Sequence, residues 1–196
     1  MKPKDLTILV IDENAIRASV IEEGLRLAGH DNVTVTHEMV GVARLVERLS
    51  PDVIVIDIEN PNRDMLESFF ILSRSVQRPI AMFVDRSDTD AMQSAIEAGV
   101  SAYVVDGLRK ERVKPILDMA ISRFNAFSKM ARELEEVRSQ LENRKTIDRA
   151  KAILMKSKGM DEAEAYAALR RAAMNQNRKI VDIAQSLITA AELLEK

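Results

Sequence analysis

The sequence predicts three structural parts: an α/β doubly wound domain with a five-stranded parallel sheet, a long coiled-coil helix and an all-α three-helix bundle. In the first part, short apolar segments alternate with amphipathic helical segments. The second part has a heptad-like repeat of apolar residues, and the third has short helical patterns separated by turn residues. We therefore place a first domain at residues 1–120, a linker helix at 113–143 and a bundle at 144–196.

Two segments of the first part, residues 6–11 and 52–57, are short, β-branched and almost wholly apolar. Such continuous runs are typical of parallel strands that are covered on both faces of the sheet. Residues 79–84 and 102–105 have the same character, and residues 33–35 are a weaker candidate. The intervening segments have helical periodicity, which predicts helices at about 15–28, 38–49, 64–75, 88–98 and from 109 onward.

A long helix without internal Gly or Pro is predicted between Pro115 and Gly159. Within it, apolar side chains recur at alternating intervals of three and four residues, which is the period of a coiled-coil seam. The seam residues are Phe127, Met130, Leu134, Val137 and Leu141. This pattern favours a parallel homodimer. The alternative is a single amphipathic helix that packs on its own domain.

The last part predicts three helices. The first covers residues 146–158 and ends at Gly159, a residue suited to the left-handed cap position. Asp161 and Glu164 have the spacing of a capping box, which begins a second helix that extends to about Met174. The third helix follows residues 175–177. The expected core consists of Ala150, Ile153, Leu154, Leu169, Ala173, Ile180 and Ile183.

The net charge of −2 conceals an uneven distribution of charged residues. Residues 144–179 contain ten Lys or Arg side chains and four acidic ones, a surplus of six positive charges. Because the whole chain carries −2, the remaining residues carry −8. A basic surplus of this size is typical of proteins that bind polyanions, although a solvated charged helix face would have the same composition.

The composition also excludes several kinds of site. The chain has no cysteine, so it has no disulfides, thiolate metal sites or cysteine nucleophiles. Its two histidines, His30 and His37, lack the neighbours that a zinc site or a catalytic triad needs. No segment is apolar enough to span a membrane, and the N-terminus lacks a signal-peptide pattern. We therefore expect a cytoplasmic protein that is not an enzyme.

Three acidic residues follow the ends of predicted strands: Asp12 and Glu13 after the first, and Asp57 at the end of the third. Because the carboxyl ends of parallel strands share one edge of the sheet, we expect these carboxylates to meet there. Clustered carboxylates repel one another unless a cation joins them, and hydrated Mg²⁺ is the natural candidate. The edge is therefore a candidate Mg²⁺ site, and no other cofactor is expected.

Residues 5–120 resemble the receiver domains of two-component response regulators. The resemblance rests on the Asp12-Glu13 pair, on Asp57 with Pro61 four residues later, and on residues 99–103. It implies a flavodoxin-like fold in which Asp57 accepts a phosphoryl group.

Two departures from the receiver pattern bear on phosphorylation. Receivers usually have Ser or Thr where this chain has Val84, and Lys where it has Asp106. The hydroxyl bonds a phosphoryl oxygen, and the Lys neutralises its charge. Because Val84 donates no hydrogen bond and Asp106 adds negative charge, we favour a receiver fold that serves as a protein-docking platform. Phosphorylation of Asp57 is the alternative.

Residues 147–155, 165–174 and 177–180 resemble the ANTAR domain, which is named after the AmiR and NasT transcription antitermination regulators. The resemblance covers about residues 140–190, and the whole chain looks most like the NasT regulators of nitrate and nitrite assimilation. It implies binding to paired hairpins in a leader transcript, which prevents a terminator from forming. It also implies an input partner, either a sensor protein that binds nitrate or nitrite or a histidine kinase.

Within this segment, we expect RNA contacts from basic and polar side chains that the core does not use. They are Lys151, Arg170, Arg171, Arg178 and Lys179, followed by Arg149, Asn177 and Tyr166. The charge pattern by itself does not choose RNA. A phosphorylation-dependent, DNA-binding helix-turn-helix output and a bundle used for dimerisation or protein docking are the alternatives.

Overall fold

The computed structural model describes residues 6–38, 40–59 and 62–194. It divides into two units, Met1–Ser128 and Lys129–Lys196. Among the described residues, the strands are β1 (Ile8–Ile11), β2 (Val33–Thr36), β3 (Val53–Ile58), β4 (Ile80–Val84) and β5 (Ala102–Val105). The helices are α1 (Ala15–Leu27), α2 (Val42–Leu49), α3 (Arg63–Ser75), α4 (Thr89–Glu97), α5 (Lys110–Lys158), α6 (Glu162–Gln176) and α7 (Ile180–Leu194).

The strands form one parallel sheet in the order β2-β1-β3-β4-β5. This arrangement confirms the predicted doubly wound α/β fold, including the weakest strand candidate, which is β2. The strand order reverses next to β1, so β1 and β3 are neighbours with residues 11 and 56 in register. In such sheets, sites form at the carboxyl ends of the strands where the order reverses.

Alternate strand residues pack into two separate hydrophobic cores, one on each face of the sheet. On one face, Ile56 belongs to a core that includes Phe69 of α3. On the other, Val55 belongs to a core that includes Ile21 of α1 and Leu117 of α5. Burial of each such side chain is worth about 1.5–3 kcal/mol, which explains why β1 and β4 are apolar at every position.

Helix α2 begins at Val42, later than the predicted start at residue 38. The reason is Gly41, whose φ of 83° places it in the left-handed region, outside the right-handed helix. Three other helices of this unit begin at side-chain caps, as Asn14, Asn62 and Asp88 each accept a hydrogen bond from a backbone N–H of the first turn.

The long helix predicted between Pro115 and Gly159 is confirmed, because α5 continues without interruption from Lys110 to Lys158. The predicted start of the first bundle helix, at residue 146, lies inside this helix. The first helix of the bundle is therefore the end of the linker helix. Residues 140–146 contain no Gly or Pro, so nothing in the local sequence ends the helix there. Gly159 ends it as predicted, with a φ of 65° and its N–H donated to the carbonyl of Met155.

In the second unit, α6, α7 and the end of α5 enclose a small apolar core. The predicted capping box is confirmed, since Asp161 and Glu164 exchange hydrogen bonds at the start of α6. That helix extends to Gln176, beyond the predicted end, and Asn177 closes it with a φ of 50°. All seven predicted core residues lie in or against this core. None of the described helices is both long enough and apolar enough to cross a membrane.

Candidate functional site

The strand register brings Asp12 and Asp57 side by side at the carboxyl edge of the sheet. Ile11 pairs with Ile56 across β1 and β3, so the next residue of each chain segment is an aspartate. Both are buried, with 3% and 1% of their surface exposed. Two adjacent carboxylates with so little water around them need a positive partner.

Arg17, in the first turn of α1, supplies that positive charge. Its Nε donates to Oδ2 of Asp57 at 2.5 Å, and its Nη2 donates to Oδ1 of the same carboxylate at 2.8 Å. The guanidinium also reaches Asp85, which follows β4, through Nη1 at 3.0 Å. Arg17 thus binds Asp57 in a bidentate manner and links it to Asp85.

Neither Arg17 nor Asp85 was predicted from the sequence as part of this site. Arg17 is the third residue after the helix cap Asn14, where the positive end of the helix dipole disfavours a cation. An arginine at that position, shortly after an acidic strand end, predicts that a nearby carboxylate offsets the unfavourable interaction of its charge with the helix dipole. The carboxylates near Arg17 hold the pKa of its guanidinium above the ordinary value, mainly through the hydrogen bond to Asp57.

Asp12 is held differently from Asp57. Its Oδ1 accepts a hydrogen bond from the backbone N–H of Asn14 at 2.8 Å, whereas Oδ2 has no hydrogen-bond partner among the described residues. The pKa of Asp12 is raised to about 7, mainly by burial and also by the negative charge of Asp57, while the hydrogen bond from the Asn14 N–H acts in the opposite direction. Near neutral pH this carboxyl is therefore partly protonated, which reduces the repulsion between the two aspartates.

The arrangement can be compared with the coordination that Mg²⁺ needs, since Mg²⁺ is the ion that the clustered carboxylates predict. Asp12, Glu13 and Asp57 all line one small cleft of about 140 Å³, and the unpartnered oxygen of Asp12 could ligate an ion. Both oxygens of Asp57, however, are bonded to the guanidinium of Arg17. Glu13 is exposed, and no group of three potential metal ligands comes together among the described residues. As arranged, the edge does not fit a divalent cation.

The two positions that depart from the receiver pattern lie where the sequence places them. Val84 ends β4 and is buried, with no polar atom on its side chain. Asp106 follows β5, is exposed, and has a φ of 47°. The backbone N–H of Asp106 donates to the carbonyl of Val84 at 2.9 Å, so the two positions are adjacent. Pro61, the remaining residue of the predicted phosphoacceptor turn, lies outside the described residues.

In the second unit, two of the predicted RNA-contacting residues take part in ion pairs between helices. Lys151 lies 2.6 Å from Asp148 on its own helix and 2.6 Å from Glu162 on α6, and its side chain is only 14% exposed. Arg149 lies 2.7 Å from Glu192 of α7. These pairs connect α5 to α6 and α7, so part of the positive charge counted in the sequence is neutralised within the bundle.

The basic surface, as we call Arg170, Arg171, Arg178 and Lys179, is exposed on α6 and the turn that follows it. Arg170, Arg171 and Lys179 have no ion-pair partner among the described residues. Arg178 makes two long contacts, both at 3.4 Å, with the carbonyl of Asp182 and the hydroxyl of Ser186. Asn177, in the left-handed conformation, sets the direction of the turn that carries Arg178 and Lys179.

Tyr166 precedes Arg170 by one helical turn on α6, so the two side chains lie on the same side of the helix. Tyr166 is 45% exposed, and Met174, one turn beyond Arg170, is 72% exposed. A planar aromatic ring beside a guanidinium is a surface on which an unstacked base can lie. The arrangement offers both phosphate-binding charge and stacking surface.

Comparison with known proteins identifies both units. Residues 8–118 match the response regulator receiver domain, and residues 135–188 match the ANTAR domain. The chain belongs to the response regulator family. It combines a receiver domain with an ANTAR domain, so the expected family resemblance is confirmed.

Three curated relatives of this response regulator are transcriptional or metabolic regulators by name. The transcriptional regulatory protein PdtaR of Mycobacterium tuberculosis is 26% identical over 92% of this chain and 88% of the relative. The nitrate regulatory protein of Klebsiella oxytoca is 35% identical over 41% of this chain and 20% of the relative. The aliphatic amidase regulator of Pseudomonas aeruginosa is 26% identical over 70% of each chain.

Solved structures agree with the receiver fold. The signal receiver domain of a modulated diguanylate cyclase from Desulfovibrio desulfuricans aligns with a TM-score of 0.52 and 20% identity over 61% of this chain and 95% of that chain. A CheY-like receiver domain protein from Methanospirillum hungatei aligns with a TM-score of 0.50 and 16% identity, again over 61% of this chain and 95% of that chain.

The predicted dimer seam of the regulator lies exposed along α5. Its five residues, Phe127, Met130, Leu134, Val137 and Leu141, are between 52% and 63% exposed. Large apolar side chains that recur on one helix face rarely stay in contact with water in a soluble protein. The exposed seam disfavours the alternative in which this face packs on its own domain.

Proposed function

We propose that this response regulator binds hairpin RNA through its ANTAR domain and thereby acts as a transcription antiterminator. The observation that carries the proposal is the basic surface, on which Arg170, Arg171 and Lys179 are exposed and without ion-pair partners among the described residues. Charges that are not neutralised within the protein are the ones free to replace counterions on a nucleic-acid backbone.

The arrangement favours RNA over duplex DNA. The recognition helix of a helix-turn-helix protein enters the major groove and presents several side chains to base edges. Here Tyr166 stands beside Arg170, a combination suited to stacking on the unpaired bases of a hairpin loop. The match to the ANTAR family over residues 135–188 supports the same choice.

We further propose that two copies of the regulator associate through the seam on α5 and engage two hairpins of one leader transcript. The exposure of all five seam residues supports this, because a parallel partner helix would remove them from water. The bundle begins on the same continuous helix, so dimerisation would hold two ANTAR domains together.

On the input side, we propose that the receiver is a docking platform for a sensor partner. Similarity to the nitrate regulatory protein of Klebsiella oxytoca makes a sensor of nitrate or nitrite the leading candidate, and a histidine kinase is the alternative. The genes next to this one would distinguish them: a binding-protein-like sensor without an export signal supports docking, and a histidine kinase supports phosphorylation.

Gel-shift titrations of the full chain with hairpin RNA and with duplex DNA test the ligand. We expect binding to the RNA, weaker binding by Arg170→Ala and Lys179→Ala, and a salt dependence whose slope falls by about one for each lost phosphate contact. Arg63→Ala is the matched control, since it removes an exposed arginine from the receiver with the same change in net charge.

Tight binding to duplex DNA without binding to RNA would replace the proposal with the helix-turn-helix alternative. Binding to neither ligand would favour a bundle used for dimerisation or protein docking. Equal weakening by the Arg63 control would show that net charge, and not the basic surface, determines affinity.

A further inference from the structure

Arg17 occupies the space in front of the Asp57 carboxylate in a way that depends on three elements of the receiver. The arginine lies on α1, Asp57 on β3, and Asp85 directly after β4. The guanidinium approaches both oxygens of Asp57 within 2.8 Å and an oxygen of Asp85 at the same distance. The Asp57 side chain is fully covered, whereas 38% of the Asp85 side chain remains exposed.

These contacts fix the guanidinium from two sides. A planar guanidinium that bonds two oxygens of one carboxylate has a defined orientation, and the second carboxylate prevents rotation away from it. The side chain of Arg17 is itself only 19% exposed, so little water competes for its donors. The pair is therefore a built part of the fold and not a transient surface contact.

We propose that Arg17 is a built-in counter-ion that closes the acidic edge of this receiver to divalent cations. Its guanidinium, a cation that belongs to the protein itself, neutralises Asp57, so the site needs no Mg²⁺ to offset its negative charge. A divalent ion bound by Asp57 would lie close to the guanidinium, which would repel it. The ion would also have to displace at least one hydrogen bond between Arg17 and Asp57.

This role of Arg17 belongs to the input domain and is separate from RNA binding. The acidic residues that line the cleft, Asp12, Glu13 and Asp57, remain in place, and an oxygen of Asp12 is unpartnered among the described residues. Carboxylate oxygens that could ligate an ion are therefore present at this edge, but Arg17 occupies those of Asp57. Removing the positive charge of Arg17 is expected to unblock it.

Isothermal titration calorimetry of the full chain with MgCl₂ tests this inference. For the wild type, we expect no saturable binding up to about 10 mM Mg²⁺. For Arg17→Gln, we expect saturable binding with a dissociation constant at least about tenfold below that limit, accompanied by Mg²⁺-dependent thermal stabilisation. Arg26→Gln is the matched control, because it removes the same charge from the exposed end of α1, where Arg26 pairs with Glu22. It should behave like the wild type.

Saturable Mg²⁺ binding by the wild type, lost in Asp57→Asn, would overturn the proposal, because Arg17 would then yield to the ion. Absence of binding by both the wild type and a folded Arg17→Gln would also overturn it, because something other than Arg17 would exclude Mg²⁺. If circular dichroism shows that Arg17→Gln is unfolded, Asp85→Ala replaces it. Loss of the contact with Asp85 should allow the guanidinium to move, so we expect Mg²⁺ binding that is stronger than in the wild type and weaker than expected for Arg17→Gln. Unchanged exclusion of Mg²⁺ in Asp85→Ala would again contradict the inference.

Discussion

At the level of single residues, the Arg17–Asp57 ion pair determines which oxygens of the acidic edge are free to bind another group. Asp57 is at the position that resembles a phosphoacceptor, yet its oxygens already have charged hydrogen-bond partners. Val84 offers no hydroxyl to bond a phosphoryl oxygen, and Asp106 offers no cation to neutralise its charge. These features of one site support the proposed docking platform over the alternative in which Asp57 is phosphorylated.

The first prediction is that Asp57→Ala leaves antitermination in a reporter assay largely intact. The variant should still fold, because the guanidinium of Arg17 keeps Asp85 as a partner. Its free energy of unfolding should fall by about 2–3 kcal/mol, because the same half-buried guanidinium loses its contacts with Asp57. Urea unfolding followed by circular dichroism measures this loss. Asp118→Ala, which breaks an exposed ion pair with Lys114, should cost less than about 1 kcal/mol.

Loss of antitermination in a folded Asp57→Ala would count against the docking-platform hypothesis. If, in addition, a small-molecule phosphodonor activated the wild type and not the variant, Asp57 would be a physiological phosphorylation site.

At the level of secondary-structure elements, α5 combines two roles in one uninterrupted helix. Its first turns pack under the sheet of the receiver, where Val113 and Leu117 are buried. Its last turns contribute Ala150 and Leu154 to the core of the ANTAR domain. The seam lies between these two anchored segments, on the part of the helix where no described residue is buried. A partner helix is the simplest cover for it.

The second prediction is that Leu134→Glu lowers the oligomeric mass of the protein. Burial of a leucine at a seam is worth roughly 1.5–3 kcal/mol per chain, and a buried carboxylate would add a desolvation penalty. Multi-angle light scattering after size exclusion measures the mass. Ser139→Glu adds the same charge on the side of the helix away from the seam and should leave the mass unchanged.

A wild type that is monomeric at all accessible concentrations would contradict a constitutive coiled coil. A mass that falls equally in Ser139→Glu would attribute the effect to charge repulsion along the helix, not to the seam.

The third prediction concerns the start of α6. Asp161→Ala removes the oxygen that accepts the N–H of Glu164, and it should lower the free energy of unfolding of the ANTAR domain by about 1 kcal/mol. Asp161→Asn keeps an accepting oxygen without the charge and should cost much less. Thermal unfolding at low ionic strength measures both. An equal loss in the two variants would mean that the negative charge near the helix dipole, and not the cap, provides the stability.

At the level of the whole molecule, the proposed dimer turns two modest RNA contacts into one strong one. Each ANTAR domain offers only a few free basic side chains, so a single hairpin should bind weakly and with strong salt dependence. When two such domains are linked, the second contact becomes intramolecular, and its effective concentration depends on the spacing of the hairpins.

The fourth prediction is that an RNA with two hairpins binds about 10²–10⁴ times more tightly than either hairpin alone. Fluorescence anisotropy titrations with matched RNAs measure the ratio, and a leader with a lengthened spacer controls for geometry. In Leu134→Glu, the advantage of the second hairpin should disappear while binding to one hairpin persists. Equal affinity of the wild type for one hairpin and two would refute the avidity argument.

The sequence alone determined the strands, most of the helices and the two family resemblances. Apolar runs and amphipathic periods are local properties of the chain, and so are the caps at Asp161 and Gly159, which the structure confirms. The long helix up to Gly159 was also predicted, and only the start of the first bundle helix, set at residue 146, lies inside it instead of at a break. With no Gly or Pro near residue 146, the backbone had no reason to end the helix.

Only the tertiary structure decided which charges are satisfied. Arg17 and Asp57 are 40 residues apart in sequence, and their pairing depends on how α1 packs against β1, the strand next to β3. Likewise, Lys151 and Arg170 look equivalent in a count of charges, but Lys151 faces Glu162 across the α5–α6 contact and Arg170 faces solvent. Periodicity is set by neighbours along the chain, whereas an ion pair is set by distance in space, which the order of residues does not contain.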